Sequence, residues 1–202
     1  MINKLLIALC ISLLSGCINL GDNPKALPSM IYVLADAHTV QPGTAPVIAH
    51  TLLVEDTHAS VYDDNEALVF SRAPNTRARY KFARWSERPS TRLSGLLFSR
   101  MADAKLYAGV VAVGSDVIAD RRLATELLAF YHDATSNPGH VHVTLRAELF
   151  DIPHHRLIAR RLFEQDVPVA SYDAAGAAAA FNIATQALLN DISAWLSATD
   201  HA

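Results

Sequence analysis

The sequence predicts an α+β fold: a mostly antiparallel sheet with two main helices packed on one face. Three observations carry that expectation. Strand-like stretches at 122–132, 140–152 and 156–167 follow one another with only Asn137-Pro138-Gly139 and Pro153-His154-His155 between them, so neighbours must reverse direction. Residues 66–71 and 77–85 make a further hairpin across Ala73-Pro74-Asn75. Two segments, near 90–104 and 173–197, carry apolar residues at helical spacing.

Taken in order, Met30 to Ala35 is a compact strand rich in Ile, Tyr and Val, and Pro42-Gly43 and Pro46 mark a loop after it. Val47 to Val54 is nearly all apolar, as in a strand covered on both faces. An acidic segment follows, with Glu55, Asp56, Asp63, Asp64 and Glu66, and room for one helical turn. In 77–85 the residues alternate: Arg77, Arg79 and Lys81 face one way, Ala78, Tyr80 and Phe82 the other. Ser90 is placed to cap a helix whose stripe is Leu93, Leu96, Leu97, Met101 and Ala104. Residues 106–113 are ambiguous between strand and loop, and Gly114-Ser115-Asp116 ends them. Asp173 caps the last helix, whose buried stripe is Phe181, Ala184, Leu188, Ile192 and Trp195, and Ala177 to Ala180 permit close packing on a sheet. No internal repeat of 20–50 residues occurs.

The start of the chain has a different character. Lys4, then an apolar run from Leu5 to Leu14, then small Ser15 and Gly16 before Cys17, have the order of an export signal. Leu14-Ser15-Gly16-Cys17 resembles the lipobox of bacterial lipoproteins, which implies acylation of Cys17 and removal of residues 1–16. Residues 5–20 are too few to span about 30 Å of hydrocarbon. By the same resemblance, Ile18 in place of Asp after the cysteine implies delivery to the periplasmic face of the outer membrane. The chain then divides into a signal (1–16), a lipidated tether (17–29, with two prolines and little periodicity) and one folded domain (30–202). Twelve extended tether residues reach at most about 40 Å.

Composition limits what the domain can do. With 51% hydrophobic and 18% charged residues it has the makeup of a globular protein. The formal charge is −3, or −4 once Lys4 is gone, which gives no global attraction to nucleic acid. Cys10 leaves with the signal and Cys17 is acylated, so no thiol is left for a disulfide, a thiolate metal site or a nucleophile.

Candidate sites were weighed in turn. His140 and His142 share a strand face, but His154-His155 lie about 40 Å away at the strand's far end, so they read as polar strand-end and turn residues. There is no G-x-S-x-G. Gly109 to Gly114 has P-loop spacing, but Ser115-Asp116 stands where Lys-Ser/Thr is required. Asp63-Asp64 sits in a solvated acidic run, and Trp85 and Trp195 read as core. No metal, cofactor or catalytic residue is indicated. The unusual feature is 72–105, with nine basic residues against Glu87 and Asp103, a local net of +7. Arg77, Arg79 and Lys81 there make a basic face suited to an acidic partner surface or to anionic lipid headgroups.

Several segments together carry a family likeness. They are the lipobox, Tyr32-x-Leu34, Tyr80-Lys81-Phe82-Ala83-Arg84-Trp85, the Pro89-led helix, the strand–Pro/His turn–strand unit, Asp173-Ala174-Ala175-Gly176, and a final helix closing at Trp195-Leu196. The chain resembles the ABC-type transport auxiliary lipoproteins, small lipoproteins encoded beside MCE-domain proteins in paraquat-inducible and related systems. The resemblance implies a non-enzymatic, periplasm-facing subunit that works with an MCE-domain protein to move lipids between membranes, assembled as a homo-oligomeric ring. A different class, a periplasmic lipoprotein that scaffolds or activates an envelope enzyme, is the alternative.

Overall fold

The computed structural model describes residues 29–37 and 47–200. Cys17, the signal and the tether up to residue 28 lie outside the described residues, as do 38–46. The elements are β1 (Met30–Tyr32), β2 (Ile48–Val54), β3 (His58–Ala59), β4 (Ala67–Ser71), β5 (Ala78–Trp85), α1 (Pro89–Ala104), β6 (Tyr107–Ala112), β7 (Arg121–Asp133), β8 (His140–Asp151), β9 (Arg156–Pro168) and α2 (Ala174–Thr199).

All nine strands join one sheet built around β7. On one edge of β7 lie β8 and then β9, antiparallel along nearly their whole length, as the tight turns require. Gly139 closes the first turn with φ +86°, where a Cβ would lie 2.0 Å from the Asp133 carbonyl oxygen, so no other residue fits. The opposite edge of β7 is occupied in relay by three short strands, all parallel to it: β2 at Arg121–Leu123, β3 at Glu126–Leu127 and β4 at His132–Asp133. Outside them, β6 runs parallel to β2, β5 antiparallel to β4, and β1 parallel to β5.

The sheet is therefore mixed, which corrects the expectation of a mostly antiparallel one; the α+β class stands. The expectation rested on turns, and a turn between two strands reports only antiparallel neighbours. Parallel neighbours are joined by crossovers, and here β2 reaches β6 by way of α1 and the strands between. A second correction concerns α1. It begins with Arg88 at the N-cap position and Pro89 in the first turn, and Arg88 makes no side-chain cap bond. Ser90 lies inside that turn, and its hydroxyl donates to Asp64 Oδ1 (2.9 Å). Asp173 does cap α2, accepting from Gly176 N at 2.7 Å.

Both helices cover one face. The core joins Leu123, Leu127 and Phe130 of β7 and Val141 to Leu149 of β8 to Leu93, Leu97 and Met101 of α1 and to Phe181, Leu188, Ile192 and Leu196 of α2. Trp85, Phe130 and Phe181 form an aromatic centre with ring centroids 4.2–5.8 Å apart. A strap of chain after β1 lies between the helices. Arg92 Nε donates to the Leu34 carbonyl (2.8 Å), Asn182 Oδ1 accepts from Ala35 N (3.0 Å), and buried Arg100 clasps Asp36 through Nη2 and Nε (2.6 and 2.9 Å). Arg100 also donates to Asn190 of α2. Arg92 and Arg100, and Asn182 and Asn190, are each eight apart, about two helical turns, so one face of each helix grips the strap.

Candidate functional site

The strand β5 decides where the basic residues point. Its register against β4 shifts between Ala67↔Arg84 and Val69↔Arg79, leaving three extra residues in β5. An odd insertion reverses the faces. Tyr80 turns toward the core side, where its hydroxyl meets His132 Nδ1 at 2.8 Å. Beyond the bulge it is Ala83 and Trp85 that are buried (7% and 1% exposed), and Phe82, predicted inward, is 41% exposed. His132 is fully buried; its Nε2 donates to the Pro138 carbonyl (2.8 Å), so Nδ1 accepts from the Tyr80 hydroxyl. Burial, with the charges of Tyr172 and Asp173 nearby, pushes the Tyr80 phenol up to about 12.

Eight of the nine basic residues of 72–105 fall into two groups, and the ninth, Lys105, is the C-cap of α1. Those toward α1 are neutralised: Arg84 pairs with Glu66, Arg88 with Asp64 (3.0 Å), Arg92 with Glu87 (3.9 Å) and Arg100 with Asp36. The acidic 55–66 segment is thus the counter-charge of the β5–α1 junction, and β3 in place of a helical turn fastens its start to β7. The other group lies along the β4–β5 hairpin. Among the described residues Arg72, Arg77, Arg79 and Lys81 make no ion pair, and each rests on an aromatic ring. Arg72 is 4.9 Å from the Phe70 centroid, Arg77 3.5 Å from Tyr131, Arg79 5.7 Å from Tyr62, and Lys81 5.1 Å from Phe82. The predicted Arg77, Arg79 and Lys81 are thus all exposed, Arg77 just before β5 and the other two on it, with an aromatic bed that the sequence does not announce. Tyr131 and Tyr62 come from distant segments, and only the sheet register brings them there.

The rest of the outer sheet face is charged but self-satisfied. Arg146 pairs with Glu126, Arg160 with Glu148 (2.5 Å), and Arg122 reaches Glu55 (3.1 Å) while lying over Phe150. Two open hollows there, of about 300 and 410 Å³, are lined mainly by these same residues. His140 and His142 share Asp166, and His142 lies 3.6 Å from Asp133. His154 sits on Asp151 at the far end, so the four histidines are not brought together. Among the described residues no three His, Cys, Asp or Glu side chains group to hold a metal, and no helix is long and apolar enough to cross a membrane. At that far end Arg121, Asp151 and Asp200 form a buried charge cluster with Arg121 Nε 2.9 Å from Asp200 Oδ1. Burial beside the Asp200 carboxylate holds the Tyr107 phenol far above its ordinary value.

Solved structures share this architecture. A protein of the DUF330 family from Xanthomonas campestris superposes with a TM-score of 0.77 at 24% identity, covering 85% of this chain and 96% of that one. A hypothetical protein from Chlamydia trachomatis gives 0.56 at 12% identity, covering 76% and 98%. The PelC dodecamer from Paraburkholderia phytofirmans gives 0.47 at 10%, covering 80% and 96%. No characterised protein matches by sequence. The model of the ABC-type transport auxiliary lipoprotein component matches residues 32–193, from the last residue of β1 into the closing turns of α2. With strap, hairpin, sheet and both helices inside that span, the chain belongs to the ABC-type transport auxiliary lipoprotein family.

Proposed function

We propose that this protein is a non-enzymatic auxiliary subunit of an ABC-type system that moves lipid or another hydrophobic molecule between the two envelope membranes. It is held at the periplasmic face of the outer membrane by acylated Cys17, and it works beside an MCE-domain partner as a homo-oligomeric ring. The observation that carries this reading is the family match across 32–193, which takes in most of the folded body. The lipobox-like Leu14-Ser15-Gly16-Cys17 supports the anchor, since two or three acyl chains hold a protein to a bilayer where one holds it marginally. The body would then act by position, as a fixed docking point.

The test is labelling and cross-linking in cells. Radiolabelled palmitate should enter the wild-type protein and not Cys17→Ser, and the wild type should fractionate with outer membrane. Cross-links should identify an MCE-domain protein, and the native mass should be a multiple of the protomer. A monomer cross-linked to an envelope enzyme would replace this reading with that of a scaffold or activator.

A further inference from the structure

We infer that the cation–aromatic hairpin formed by Arg72, Arg77, Arg79 and Lys81 docks onto the anionic headgroup surface of the membrane that holds the chain. Among the described residues these four cations, within ten positions, meet no carboxylate, whereas Arg84, Arg88, Arg146 and Arg160 each have one.

Stacking has a further consequence. A guanidinium laid flat on a ring uses its face, and its in-plane N–H groups stay free to donate. Arg77, 3.5 Å above Tyr131, spends one of its five donors on the Thr76 carbonyl. That geometry suits bidentate contact with phosphate oxygens. Exposed Phe82, Tyr62 and Val61 beside the cations supply the apolar and amphipathic side chains that favour the headgroup boundary. Among the described residues β1 covers β5 only from Ala83 to Trp85.

Placement selects a lipid surface over an acidic protein. Met30 pairs with Ala83, two residues past Lys81, so the described chain begins, on its Cys17 side, beside the hairpin. In this respect the inference rests on the anchored reading. A tether of at most about 40 Å keeps the hairpin at high local concentration over the bilayer, so a weak patch suffices to orient the body. Ala78 is level with His132 at one end of β7, and the Val113–Ala119 loop, with Ile118 91% exposed, lies at the other end. Docking the hairpin directs that loop about 40 Å away from the hairpin, toward the periplasm.

The experiment removes the anchor so that the patch is read alone. Residues 18–202, which retain the whole core from Leu34 to Leu196, are exported behind a cleavable secretory signal. They are floated with phosphatidylglycerol-containing vesicles and with phosphatidylcholine vesicles. Binding to the anionic vesicles only is expected, lost at high salt and about a hundredfold weaker in R77Q/R79Q/K81Q. R77K/R79K, which keeps the charge but loses the stacked guanidinium fork, should bind more weakly than wild type and more tightly than the triple Gln variant, and an unchanged Tm shows that the variants are folded. Equal binding to both vesicle types, or wild-type binding by the triple Gln variant, overturns the inference. So does a triple variant that loses only an acidic protein partner while the parent never floats with lipid. Failure of palmitate labelling at Cys17 would sink the anchored reading and leave the flotation result standing.

Discussion

At the residue scale the most consequential side chain is Arg100, because it is a buried charge (4% exposed) that touches three elements. It pairs with Asp36 of the strap and donates to Asn190 of α2. Removing one partner of a buried pair leaves the other unsatisfied, at a cost of about 3–5 kcal/mol. Arg100→Ala is therefore expected to lower stability by that much in urea denaturation. R100M/D36L should be far less damaged than the two single changes together imply, with a coupling of about 1–3 kcal/mol. Additive losses would show that the Arg100–Asp36 pair does not hold the strap. Asp173 provides a second test. The Gly176 N–H, and then the Ser171 hydroxyl, hold its carboxyl below the ordinary carboxylate range. A folded-state value below the unfolded one stabilises above about pH 4 and is lost as pH falls through the lower value. Asp173→Asn keeps a capping side chain but cannot titrate. The stability advantage of wild type over D173N should shrink between pH 5 and pH 3, and parallel profiles would refute the assignment. The sequence signal here was direct, since an Asp three residues before a small residue at the head of an apolar stripe is an N-cap. Arg100 was not legible, because a lone arginine on a helix says nothing of the carboxylate 64 residues away.

At the element scale β5 shows where pattern reading works and where it stops. The strand and its hairpin with β4 were both legible from alternation and from Ala73-Pro74-Asn75. Which face is buried was legible only as far as Tyr80, because three extra residues reverse the alternation and no local signal marks a bulge. The two phases make opposite predictions for two aromatic residues. Phe82→Ser should change stability by less than about 0.5 kcal/mol, as for a surface position. Trp85→Ala should cost about 3–5 kcal/mol, since it empties the centre shared with Phe130 and Phe181. Thermal unfolding of the two variants decides the matter, and a large loss from Phe82→Ser would restore the unbroken alternation. The helices were more legible because their stripes repeat over many turns: Phe181, Ala184, Leu188, Ile192 and Trp195 are all buried.

At the scale of the whole molecule, the strands with tight turns were found together with their pairing, and those without them were found as strands only. β2, β3 and β4 lie end to end along β7, and nothing in residues 48–71 announces a partner that begins at Arg121. The cation–aromatic hairpin has the same origin. Its cations were legible as a charge run, while Tyr131 and Tyr62 reach them only through the assembled sheet. This architecture separates the anchor from the fold, and that separation is testable. Every core residue lies at or beyond Leu34, so shortening the tether by deleting 19–26 removes nothing the core uses. The Tm of the deletion variant should equal that of wild type, and palmitate should still enter Cys17. Reach, however, falls from about 40 Å to little more than 10 Å, which leaves the body too little freedom to lay the hairpin on the headgroups and turn its opposite end toward a partner. In a strain lacking the chromosomal copy, the short-tether protein should fail to restore resistance to membrane-perturbing detergents. Refilling the gap with an equal length of Gly and Ser should restore it, because a tether is read by length and not by sequence. If the shortened protein complements fully, free tether length is not needed to orient the body on its membrane and reach is no part of its function.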